Sequence, residues 1–211
     1  MRPDAASNSM SPSTAESDRD FARLEIATPW TPETLRPFVD DVERLLRINP
    51  LVVFDRFERE GEDRWHLTGR NLANGRTFDL HMERVPLPDG GWRLLWKGGL
   101  KQATELRIRA APDGTALLEI VDDYSGVPEA ERKARKQEVD TSFLPWGRAL
   151  HKYLNHWKRW SWIPGWKWYF GGPWLRMTPS ARRIVFMLIF ITAAEFVLFL
   201  FVLLIFKLEG A

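Results

Sequence analysis

Asp122, Asp123 and Tyr124 close the segment TALLEIVDDY, and a carboxylate two residues from a phenol is a pairing suited to general acid–base work. If Glu119 points outward, a period of two turns Leu118, Ile120, Asp122 and Tyr124 inward. There they would orient a ligand's polar group or exchange a proton with it. The alternative is that the strand has left the core by that point, with Asp122 solvated or paired with an arginine. Other residue types exclude chemistry. The chain has no cysteine, which removes disulfides, thiol catalysis and thiolate metal sites and suits a reducing compartment. His66, His81, His151 and His156 lack HExxH-type spacing. His151 and His156 lie five apart on one helical pattern and project in different directions. His81 is expected to face solvent beside Asp79 and Glu83, and no metal or cofactor is expected. GRNLANGRT carries glycines without the Lys-Ser/Thr of a phosphate loop and reads as a hairpin, and no serine-nucleophile motif is present.

The elements that hold these groups follow from the hydrophobic period. FARLEIAT reads as a first strand. Thr31-Pro32-Glu33 supplies a cap, a proline at the first helical position and an acid in the first turn. Pro37 is expected to interrupt that helix after barely a turn, with Asp40 or Asp41 capping a second short helix, VERLLRIN. From Leu51 the period changes to two. Six strands follow, LVVFDRFERE, RWHLTGRN, RTFDLHMERV, WRLLWK, ATELRIRA and TALLEIVDDY, separated by turns such as Asn74-Gly75, Pro88-Asp89-Gly90 and Pro112-Asp113-Gly114. Short loops between consecutive strands imply an antiparallel meander. A charged run, EAERKARKQEVD, comes next; its Arg132, Lys133, Arg135 and Lys136 read as a solvated helix face, a basic membrane contact or a lid. The helical period then returns, with Phe143, Trp146, Leu150, Leu154 and Trp157 on one stripe. Gly147 beside Trp146 would let this helix approach the sheet closely.

One strand, two short helices, six strands and a long helix, with DVERLLRINP after the first strand, make an order that resembles the START-like or polyketide-cyclase (SRPBCC) superfamily over about residues 20–160. The resemblance implies an α+β helix-grip fold, a curved antiparallel sheet of about seven strands around the long helix. It also implies a deep cavity for a lipid, sterol, polyketide or other apolar ligand. Inward positions that would line it are Leu67, Phe78, Leu80, Met82, Trp92, Leu94, Trp96, Leu106, Ile108, Leu118, Ile120, Trp146 and Leu150. A filled core would use the same residues.

The ends of the chain differ from this middle. Residues 1–20 are rich in Ser, Ala, Asp and Pro and are expected to be a disordered tail without a signal peptide's apolar region. IVFMLIFITAAEFVLFLFVLLIF, residues 184–206, has nineteen Leu, Ile, Val, Phe or Met among 23 residues. At about 1.5 Å per residue it reaches about 34 Å, enough for a hydrocarbon core of roughly 30 Å. Lys158, Arg159, Lys167, Arg176, Arg182 and Arg183 precede it and Lys207 follows, so the positive-inside rule places the amino-terminal part in the cytoplasm, with a short tail, 207–211, beyond. The expected location is a single-pass, carboxy-terminally anchored protein of a bacterial inner membrane. Between the domain and this span, residues 161–183 form a linker. Trp160, Trp162, Trp166, Trp168 and Trp174, five of the chain's eleven tryptophans, fall within residues 158–177 among cations and prolines. Indole favours the headgroup region, so this stretch is expected to lie bent on the bilayer. Glu195 falls mid-span beside Thr192, Ala193 and Ala194. It is a candidate for hydrogen bonding across a helix–helix interface, in a homodimer or with a partner's transmembrane helix.

Three functions fit these observations. The first is membrane-tethered binding or transfer of a hydrophobic small molecule, lipid, quinone or isoprenoid, at the cytoplasmic face. The second is a cyclase or dehydratase acting through Asp122 and Tyr124. The third is an assembly or scaffold factor working through Glu195 and the tryptophans. A formal charge of only +2 gives no ground for a nucleic-acid partner.

Overall fold

The computed structural model describes residues 21–99, 101–125 and 129–209, apart from the side chains of 129–142, 179 and 209. The expected disordered tail 1–20, the final two residues and the side chains of the charged run lie outside the described residues. The chain divides into two compact units, 1–162 and 163–211.

The first unit opens with β1 (Phe21–Ala27), α1 (Pro32–Asp40) and α2 (Val42–Arg47). It continues with β2 (Val52–Arg59), β3 (Arg64–Asn71), β4 (Thr77–Pro86), β5 (Trp92–Lys97), β6 (Ala103–Ala110) and β7 (Ala116–Asp123), then α3 (Glu129–Trp160). The strands form one antiparallel sheet in the order β1-β7-β6-β5-β4-β3-β2, so each strand from β2 to β7 pairs with its sequence neighbour and β1 closes against β7. The hairpin turns place Gly75 at φ 71°, Gly90 at 84° and Gly114 at 79°, a region that residues with a side chain rarely adopt.

Thr31 caps α1 and Pro32 begins it, as the sequence implies. Pro37 does not stop it. The helix runs on to Asp40 because burial of Leu35, Phe38 and Val39 holds the turn that the missing N–H would have loosened. Asp41 then caps α2 by accepting from the Arg44 N–H at 3.1 Å, while Asp40 accepts from the Trp92 indole at 2.6 Å.

Register sorts the side chains cleanly. Arg107 pairs with Glu119, and Glu119 with Glu25, on the outer face; Leu24, Ile120, Leu106 and Thr104 face inward. The stripe of α3 lies on this inner face, with Phe143, Trp146, Leu150, Tyr153 and Leu154 buried. A Cβ on Gly147 would stand 2.3 Å from Leu24 Cδ2, so the missing side chain is what lets α3 reach β1. Helix α3 also extends further back than the apolar stripe, taking in the charged run and passing through Pro145. On the outer face Glu119 is 1 % exposed, covered by Arg23 at 3.2 Å and Arg109 at 2.8 Å.

The second unit contains α4 (Trp166–Gly171), α5 (Pro173–Arg176) and α6 (Pro179–Glu209). Gly165, at φ 77°, and Gly172 break the chain on either side of α4, which are the bends expected from Pro164-Gly165 and Gly171-Gly172-Pro173. Helix α6 starts before the apolar run and is long and apolar enough to cross a membrane from Ser180 to Leu208.

Candidate functional site

The inner face of the sheet has two unlike ends. At one end α1 and α2 pack down, and polar groups there are paired. Arg84 donates to Asp63 at 2.7 Å and to the Asp40 carbonyl at 3.0 Å, with its guanidinium 4.3 Å from the Trp92 ring. A cleft of about 250 Å³ opens beside them, bounded by Asp40, Asp41, Glu43, Phe57, Arg59 and Trp65.

The middle is solid. Leu67, Leu94, Leu106, Leu118, Ile120 and Leu150 have no accessible surface, and Met82 and Trp146 have almost none. Eight of the thirteen positions expected to line a cavity are therefore packed against neighbours. The Trp146 indole donates to the Leu45 carbonyl at 3.1 Å.

The other end gathers the start of β2, the end of β3, the start of β4, the end of β5, the start of β6 and the end of β7. Phe78, Leu80 and Trp96 are only partly buried there. Phe54 meets Phe78 edge to face at 5.8 Å, and a Leu80 methyl packs close on Gly99, 3.1 Å from where a Cβ would stand. This apolar row runs into a polar cluster on Asp122. That carboxylate is 3 % exposed. It accepts from the Thr104 hydroxyl, from the Lys101 ammonium at 3.3 Å and from the Tyr124 phenol at 3.2 Å. The Trp96 indole donates to Thr104 at 3.0 Å, and Lys101 Nζ lies 4.6 Å from the centre of the Trp96 ring.

A carboxylate this deep is tolerable because its charge is paired and its lone pairs are met. Lys101, whose side chain is 26 % exposed, is the member that can still turn toward an incoming oxygen. The cluster can thus hold a carbonyl, carboxyl or hydroxyl at the end of an apolar molecule lying on Phe78, Leu80 and Trp96.

The sequence left open whether Asp122 and Tyr124 turn inward or leave the core, and both are in the cluster. Its periods did not single out Lys101 or Thr104 and gave Trp96 only an apolar part. Thr104 shares Leu106's inward phase and was within reach of the same alternation. Lys101 sits in a turn, where no period applies. Asp122 is buried rather than solvated, and among the described residues its charge partner is Lys101 rather than an arginine. The histidines lack HExxH-type spacing, yet the register puts His66 opposite His81.

Of the expected interface set, Trp162, the last residue of the first unit, is 75 % exposed, and Trp168, in the second unit, is 73 % exposed. Trp166 stacks on Phe170 at 3.9 Å and Phe170 on Trp174 at 5.3 Å, with the Arg182 guanidinium 4.0 Å from the Trp174 ring. Trp160 is half-buried within the first unit, its ring 5.2 Å from the Arg159 guanidinium. Glu195 is exposed midway along α6.

No protein-family model and no curated protein matches the chain. Among solved structures, a START superfamily protein from Mycobacterium smegmatis is similar over 64 % of this chain and 97 % of its own, with 14 % identity and a TM-score of 0.51. The Zhui aromatase/cyclase from Streptomyces is similar over 67 % of this chain and 97 % of its own, again with 14 % identity and a TM-score of 0.51. The chain has the helix-grip fold. In this helix-grip domain the long helix grips the inner face through Gly147, and the end of that face next to Asp122 is where its polar chemistry collects.

Proposed function

We propose that the helix-grip domain binds a hydrophobic ligand carrying one oxygen-bearing polar group, at the cytoplasmic face of a membrane to which α6 anchors it. The observation that carries this reading is the Asp122–Lys101–Tyr124 cluster beside the partly buried apolar row of Phe78, Leu80 and Trp96. The ligand's apolar body would lie on Phe78, Leu80 and Trp96, and its oxygen would accept from Lys101. A lipid, quinone or isoprenoid has this form, and such a molecule partitions into the bilayer that the anchor would keep close. Trp162 and Trp168, exposed beside cations, fit the headgroup region. Native mass spectrometry of the full chain released from detergent tests it. The wild type should carry a bound molecule of this class, and Lys101→Met should reduce the bound fraction about tenfold, the loss of one charged hydrogen bond. Recovery of wild-type protein free of any such ligand would refute it.

A second reading, a cyclase or dehydratase, draws on the same trio and on one solved relative of this fold being an aromatase/cyclase. Asp122 already holds three donors, so it would have to release one before serving as a base, which is why binding ranks first. Unchanged turnover of a polyketide-like substrate by Tyr124→Phe would remove Tyr124 from that mechanism.

A further inference from the structure

The outer face of β2, β3 and β4 carries a group of side chains that the ligand reading does not use. His66 on β3 and His81 on β4 are directly opposed in register, and their rings stack at 4.6 Å with 9° between planes. His66 Nε2 is 2.7 Å from Asp79 Oδ1, and Asp79 shares the outer face of β4 two residues before His81. His81 Nδ1 is 3.2 Å from Glu60 Oε2, just past the end of β2. One ligand atom from each of His66, Asp79 and His81 lies within 4.8 Å of the others.

We propose that His66, His81, Asp79 and Glu60 form a binding site for a first-row divalent metal ion of the zinc class. Two imidazole nitrogens with two carboxylate oxygens are a borderline donor set, which zinc, cobalt or nickel prefers and which calcium or magnesium, wanting oxygen alone, does not. Ligand atoms around a tetrahedral zinc, at about 2.0–2.1 Å from the metal, stand about 3.3 Å apart. The 3.2 Å between His81 and Glu60 already matches that edge. The 2.7 Å between His66 and Asp79 must open slightly, and the widest separation among His66, Asp79 and His81, 4.8 Å or less, must close by at most about 1.5 Å. Asp79, His81 and Glu60 are exposed enough to make that movement, with side chains 70 %, 55 % and 45 % accessible, while His66 at 19 % is held in place. Acidic neighbours reinforce the site: Glu58 stands opposite His66, and Glu83 stands two residues beyond His81 on the same face. Lys97, opposite His81, opposes them.

A cation here would tie the edge strand β2 to β3 and β4. The same three strands carry Phe54, Phe78 and Leu80 on their inner face, so the metal would stiffen the apolar row from behind.

The test uses the full chain in detergent, purified without a histidine tag. Cobalt titration should show visible absorption saturating at one ion per chain, displaced by zinc, and zinc should raise the unfolding temperature. His81→Ala and His66→Ala should each weaken cobalt binding about tenfold or more and abolish the thermal shift, whereas His156→Gln should keep both. His81 is more than half exposed and its packing is the ring stack on His66, so that variant decides the matter even if His66→Ala fails to fold. Binding that never saturates, or that survives His81→Ala undiminished, would overturn the site.

Discussion

Lys101 and Asp122 form an ion pair at 3.3 Å in which the carboxylate is almost wholly buried and the ammonium is not. Removing the cation leaves a buried charge with only neutral donors. Lys101→Met should therefore destabilise the folded chain by about 3 kcal/mol, and adding Asp122→Asn should restore a good part of that. Denaturant titration of the full chain in detergent reads both values. Tyr153 offers a second measurement at this scale. Burial against Phe38 and Trp157 pushes its phenol up to about 12, against an opposing pull from Arg44. Between pH 10 and that value the unfolded chain releases a proton that the folded chain keeps, so folding stability falls as pH rises through the window. Tyr153→Phe should flatten the stability–pH curve there, and the difference between the two curves isolates this one group. His156 moves the other way, its imidazole lowered by partial burial and then by Lys152 and Arg159.

Helix α3 owes its seat to one absent side chain. Gly147→Ala would press a methyl group into Leu24, with Leu24 Cδ2 only 2.3 Å from the added carbon. The expected cost is about 1–3 kcal/mol, and the Gly147→Ala/Leu24→Ala pair should be less destabilised than the sum of its singles, because the shortened residue gives back the space. Both effects are read from thermal unfolding. The strands were legible before any coordinates: RWHLTGRN is β3 to the residue, because a two-residue period with an Asn-Gly turn leaves little choice of register. Helix ends were less so. Pro37 looks like a stop, yet α1 passes through it, since buried neighbours outweigh one lost hydrogen bond. The charged run before Phe143 joins α3 for a related reason. A local pattern without an apolar stripe does not announce a helix whose later turns are held by the sheet.

At the scale of the whole molecule, the proposed reading has α6 hold the helix-grip domain at a membrane. A chain ending at residue 178 lacks α6 and should move from the membrane pellet to the supernatant on fractionation, while the full chain should resist extraction at alkaline pH. Trp162→Ala with Trp168→Ala, made in the shortened chain, should then weaken its residual binding to anionic vesicles several-fold in a flotation assay, since each exposed indole adds interfacial affinity. Full chain recovered in the supernatant would count against the anchor.

The sequence by itself determined the strand count, the inward set of apolar residues, the gripping glycine and the apolar helix at the carboxy-terminal end. Each of these is written in local periods or turn chemistry. Only the tertiary structure decided that Lys101 meets Asp122, that Thr104 joins Trp96 to the same carboxylate, and that His66 lies against His81. Those partners come from different strands or turns, 8 to 21 residues apart. Their meeting depends on the registers of neighbouring hairpins, which no single segment encodes.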